Sequence, residues 1–194
     1  MGRSAVMGAM FAFGVAFIAA IAFLAPGNRN TAAQNAAFSV PGLPDMTVQA
    51  AHGAFHRVTP ALLLEVYDAF GRTQEDQIYD TLAAVTHGEA LEYLYLERVG
   101  AMAGGGLEEA DQTIHEINLL TSSVQRDGAQ LAIDAVWQVI GTVGHAEHLH
   151  VRGNTYSADL IVAPVDGAWK ITDFALLDVN RDAAGETYLA PDAE

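Results

Sequence analysis

Hydrophobic residues in this chain change their spacing at the triple glycine Gly104–Gly106, and that change restricts the fold to one class. Ahead of the glycines, apolar residues recur every three or four positions, the period of a helix that buries one face. After them, apolar and polar residues alternate, the period of a half-buried strand. From Thr59-Pro60, where Thr suits a helix cap and Pro the first helical position, Leu63, Val66, Tyr67 and Phe70 form a stripe that Gly71 ends. Thr73 and Asp76 open a second helix, with Ile78, Leu82 and Val85 as its stripe and His87-Gly88 as its end. A third runs from Glu89 to Met102, with Leu91, Leu94, Tyr95 and Val99 inward and Glu92, Glu97 and Arg98 outward. Thr113–Val124, Gln130–Val143, His148–Pro164 and Trp169–Val179 then read as strands, with hairpin signals at Asp127-Gly128 and Asp166-Gly167. Helices followed by a meander predict an α+β domain, three helices packed on a curved four-stranded antiparallel sheet.

A different solvent is written into the N-terminus. Ser4–Ala25 contains no charged residue and is long enough, as a helix, to cross about 30 Å of hydrocarbon before Pro26 and Gly27 end it. Gly8, Ala12, Ala16 and Ala20 are four apart, a stripe against which another helix could pack. The apolar stretch exceeds the roughly 7–15 residues of a signal peptide, which favours a retained N-terminal transmembrane helix over a cleaved leader. Arg3 precedes it and belongs on the cytoplasmic side. The chain therefore divides into an anchor over 1–27, a tether over 28–58 with the turn signal Pro41–Pro44, the α+β domain over 59–182 and an acidic tail over 183–194.

Charge narrows the partners. There are 24 Asp+Glu against 9 Lys+Arg, a formal net charge of −15, and apart from Arg3 all of it lies beyond the apolar run. Binding nucleic acid needs Lys and Arg to replace counterions, so no nucleic-acid partner is expected. Cations and basic protein surfaces are the partners such a domain attracts. The absence of cysteine excludes disulfides, thiolate metal sites and cysteine nucleophiles. Gly104–Gly106 lacks the following Lys and Ser/Thr of a phosphate-binding loop.

One stretch carries side chains capable of chemistry. His145, Glu147, His148 and His150 surround the turn between the second and third strands. Strand alternation puts His148, His150, Arg152, Asn154 and Tyr156 in one file. Imidazoles two apart on a strand, with His145 or Glu147 added, make a candidate site for a divalent transition metal such as zinc, copper or nickel. The alternative is a solvated, structural hairpin tip. Asp134 interrupts an apolar strand, and if Thr142 lies opposite His150 it joins Arg152, Asn154 and Tyr156 in a polar cluster. Acid–base catalysis needs such a group in an apolar pocket with a displaced pKa; no catalytic residue is assigned. Tyr67, Tyr79, Tyr93 and Tyr95 read as helix-packing residues, and His115-Glu116 as a strand pair of minor interest.

The element order, together with the closing hairpin Asp166, Gly167, Trp169, Lys170 and Ile171, resembles the cystatin-like cone of nuclear transport factor 2-like domains over about residues 60–180. That superfamily holds enzymes and assembly modules alike, so the resemblance implies a fold and no activity. Val66–Val99 and Trp137–Ile171 look, more narrowly, like a group of bacterial membrane-anchored envelope proteins, with a Trp, a Gly and a histidine-rich turn followed by alternating His, Arg, Asn and Tyr. Members of that group usually carry Trp-Gly at the turn where this chain has Ala146-Glu147. The resemblance implies a single-pass protein of the bacterial inner membrane, held by residues 4–25, with its C-terminal domain in the periplasm. The expected function is that of a noncatalytic accessory or assembly subunit docking on an envelope complex. The alternative is a periplasmic metal-binding factor.

Overall fold

The computed structural model describes residues 35–103, 112–145 and 148–189, of which 112–113, 143–145, 148–152 and 181–189 are described in their backbone. The described chain begins with a hairpin, β1 (Ala37–Val40) and β2 (Leu43–Thr47), turned at Gly42, whose φ of 65° favours glycine. A short helix α1 (Val48–Gly53) follows, its N-terminus capped by Thr47 Oγ1, which accepts from the Ala50 amide at 3.2 Å. Three longer helices come next, α2 (Phe55–Gly71), α3 (Glu75–Val85) and α4 (Glu89–Ala103). The rest is strand: β3 (Gln112–Asp127), β4 (Gln130–His145), β5 (His148–Val165) and β6 (Ala168–Leu189).

β3 to β6 form the expected antiparallel meander, and Gly128 and the Asp166-Gly167 pair take the positive φ that tight hairpins require. The sheet, however, has six strands in the order β2-β1-β6-β5-β4-β3 and is mixed, because β1 joins β6 in parallel at Ser39 and Ala168. The expected three helices on a four-stranded antiparallel sheet are thereby corrected to four helices on six strands. The cause is local. Pro41, Gly42 and Pro44 mimic a linker, and β1 and β2 are too short to show a period on their own. What holds them is tertiary: Phe38 packs edge-on to Trp169 with centroids 6.0 Å apart, and the Trp169 indole N–H donates to the Met46 carbonyl at 3.0 Å. Residues 37–58, expected as tether, thus include β1, β2, α1 and the first turn of α2. β6 likewise runs on through residues 183–189, expected as tail, paired along β5. Register shifts in β3 and β6 mark bulges that bend and curl these long strands.

Among the described residues no helix is long and apolar enough to cross a membrane. The Ser4–Ala25 run, expected as a transmembrane helix, lies outside the described residues.

The core lies between the helices and one sheet face. Ile78, Leu82 and Val85 of α3 are buried as their spacing predicts, and Leu131, Ile133, Ala135, Trp137 and Val139 present the buried parity of β4. Each fully buried aliphatic side chain contributes about 1.5–3 kcal/mol of transfer free energy. Two expectations about the helices fail. Helix α2 starts at Phe55, with Pro60 inside it, because burial of Val58, Leu62 and Leu63 outweighs the hydrogen bond that proline forgoes. Arg98 is buried, and its guanidinium donates to the Arg72 carbonyl at 2.8 Å, tying α4 to the α2–α3 link. The end of α3 is fixed to the sheet by two bonds, Lys170 Nζ donating to the Ala83 carbonyl at 2.6 Å and the His87 amide to Ile171 O at 2.9 Å, while Thr86 Oγ1 closes the helix end by donating to Leu82 O at 2.7 Å.

Candidate functional site

The observed β4–β5 register separates the predicted polar cluster. Thr142 pairs with Val151 and Val143 with His150, one residue away from the pairing that would unite the cluster, and a slip of one moves side chains to the other face. Asp134 is accordingly exposed between buried Ile133 and Ala135, directly across from exposed Asp159. Trp137, Tyr156 and Asn154 have the parity of the helix-covered face, and Asn154 Nδ2 donates to Tyr156 Oη at 3.4 Å. Asp134 therefore stands apart from Asn154 and Tyr156, while Arg152 is described in its backbone alone, opposite Gly141.

The histidine hairpin is bounded more narrowly. Glu147 lies outside the described residues, and His145, His148 and His150 are described in their backbone, with His145 paired to His148. Among the described residues no group of three or more His, Asp or Glu is arranged to hold a metal ion. His115 is hydrogen-bonded to Thr142 Oγ1 at 3.0 Å on the exposed face.

The described residues instead bring together an aromatic cleft between α2, α4 and the sheet, with a cavity of about 270 Å³. Trp137 and Tyr156 are direct cross-strand partners whose rings stack at 5.7 Å and 16°. Tyr67 of α2 leans on Tyr156 at 6.0 Å and accepts the Trp137 indole N–H at 3.1 Å. Burial raises the Tyr67 phenol well above its ordinary value, reinforced by the neighbouring Tyr156 phenol, so this hydroxyl stays protonated. At the mouth, Tyr93 of α4 stacks on Phe174 of β6 at 6.0 Å and 22°. Tyr93, Glu97 and Ala101 line the cleft because they lie four apart on one side of α4. Sequence reasoning took Tyr67 and Tyr93 for helix packing and passed over Trp137 and Phe174. The available signal was parity, since Trp137 and Tyr156 oppose each other in the meander once the hairpin register is known.

A second feature lies on the outside of α3 and α4. Tyr79 and Tyr95 meet edge-on at 5.6 Å and, with His87, Leu91 and Leu96, line a shallow groove of about 440 Å³. Tyr79 is 48% exposed and Leu96 59%, high for large apolar side chains that neighbour one another. Glu92 lines the groove as well, and Glu75, Asp76, Asp80 and Glu89 on the same two helices are all exposed, with no Lys or Arg between Arg72 and Arg98. The groove is apolar at its centre and anionic at its rim.

No family model matches the chain, and no curated protein matches it. Two solved structures are similar to part of it. One is the crystal structure of the intermembrane space region of the chloroplast protein ARC6, at 20% identity and a TM-score of 0.42, covering 69% of this chain and 98% of that one. The other is the solution structure of a de novo designed β-sheet protein, at 12% identity and a TM-score of 0.33, covering 71% of this chain and 95% of that one. The architecture common to expectation and structure is an α+β domain with a curled sheet.

Proposed function

We propose that this protein is a noncatalytic accessory subunit of a bacterial envelope complex, held at the inner membrane by the apolar run of residues 4–25, and that it docks a basic protein surface on the α3–α4 face. The observation that carries the reading is the apolar groove formed by Tyr79, Leu91, Tyr95 and Leu96 inside a rim of carboxylates. Interfaces concentrate affinity in a desolvated centre rich in aromatic residues and gain on-rate and selectivity from charge complementarity at the rim. A chain of net charge −15 repels nucleic acid and anionic head groups, leaving a basic polypeptide as the matching occupant.

The test is affinity capture of the full chain from detergent-solubilised membranes, comparing the native protein with Leu96→Lys and with Leu177→Lys. Leu177 is 60% exposed and lies on β6. The expected result is a basic protein that co-purifies with the native chain and with Leu177→Lys, is lost with Leu96→Lys, and dissociates as salt is raised. A partner that survives Leu96→Lys, or one that both substitutions release equally, would overturn the proposal.

A further inference from the structure

The aromatic cleft is independent of the α3–α4 groove and calls for a different kind of occupant. From its lining we infer that it binds a small organic cation, an alkylammonium with a compact apolar body, received among the rings of Tyr93, Tyr156 and Phe174 with Glu97 at the mouth.

Three separate features agree on the sign of the ligand. Aromatic faces attract a desolvated ammonium, by about 0.5–2 kcal/mol for each well-placed ring, and Tyr93, Tyr156 and Phe174, each at least partly exposed in the lining, supply such rings here, with the buried Trp137 stacked behind Tyr156. Glu97 is the one charged residue among the described residues lining the cleft, and it is exposed, free to meet a cation at the entrance. Ala101, also in the lining, lies in the last turn of α4, which has no basic residue. Carbonyls at a helix C-terminus carry partial negative charge that favours a cation nearby.

An anion would face both Glu97 and the helix end. Tyr67 Oη accepts from Trp137 and Tyr156 Oη from Asn154, so both hydroxyls are engaged within the domain and the ligand is recognised by the rings and by Glu97. A cavity of about 270 Å³ sits just below the roughly 300–1,000 Å³ usual for drug-sized ligands, so the occupant is small.

The experiment is isothermal titration of the full chain in dodecyl maltoside with choline and with its uncharged carbon isostere 3,3-dimethylbutan-1-ol. The expected result is saturable binding of choline, at least tenfold tighter than the isostere. Glu97→Gln, an exposed isosteric change, should weaken choline at least fivefold and leave the isostere unaffected. Phe174→Leu should weaken choline as well, with unchanged circular dichroism. Equal binding of the two compounds, absence of saturable choline binding, or a Glu97→Gln variant indistinguishable from the native protein would overturn the inference.

Discussion

Replacing Tyr67 by Phe isolates a single polar interaction at the heart of the domain. The ring and its contacts with Phe70 and Tyr156 remain, and what disappears is the hydroxyl that accepts the Trp137 N–H at 3.1 Å. Trp137 is 1% exposed, so water cannot readily replace the lost acceptor. An orphaned buried donor costs about 1–3 kcal/mol. Against this stands relief from burying the phenol hydroxyl itself, on the order of 1 kcal/mol by mutational scales. A net loss of up to about 2 kcal/mol is expected, which for a chain of this size lowers the melting temperature by up to roughly 8 °C. Equilibrium urea denaturation, followed by far-ultraviolet dichroism and tryptophan emission, gives the free energy. A double-mutant cycle with Trp137→Phe separates the pair from its surroundings and should return a coupling of at least about 0.5 kcal/mol. A coupling near zero, or a Tyr67→Phe protein more stable than the native one, would refute the claim that this hydrogen bond ties α2 to the sheet.

The same residue makes stability depend on alkaline pH. Its folded-state pKa lies above the ordinary phenol value of about 10, so the folded form keeps a proton that the unfolded form gives up. Its contribution is complete below about pH 10 and declines above it, and urea midpoints between pH 8 and 11 should fall less steeply for Tyr67→Phe than for the native chain. Asp159→Lys should stabilise the protein by about 0.5 kcal/mol in low salt, because Asp159 faces Asp134 directly across the exposed side of β4 and β5; thermal melts at two ionic strengths would show the gain shrinking as salt rises. Lys170→Met removes the ammonium bonded to the Ala83 carbonyl near the end of α3 and should cost about 1 kcal/mol in a chemical melt.

Legibility followed the length of each signal. Helix α3 could be read because Ile78, Leu82 and Val85 repeat a period that its burial repeats in turn, and the meander because Asp-Gly pairs punctuate strands long enough to alternate. Residues 37–47 could not, since two strands of four and five residues carry too few alternations to show a period and are held by Trp169, far away in sequence. Arg98 reads as a surface residue by type and is buried because one carbonyl of the α2–α3 link is within its reach. Of the site, the residue types were visible and their grouping was not. The His/Arg/Asn/Tyr file was derived from parity within one strand, while the relation of Asp134 to it depends on register between two strands. That register differs by a single step from the one that would have joined them. The cleft needed a relation of still higher order, between two helices and three strands, which no local pattern encodes.

The parallel pairing of β1 with β6 also sets an order in time. Ser39 donates its amide to the Gly167 carbonyl at 3.0 Å, across 128 positions of sequence. The β3–β6 hairpins close over short loops, whereas this contact must wait until the last hairpin exists to receive it. The β1–β2 segment is therefore the last element to settle during synthesis, and, with a single bridge and a few side chains holding it, the first to detach in native-state fluctuation. In hydrogen exchange its amides should report the opening of this clasp while those of β4 and β5 report the unfolding of the whole domain.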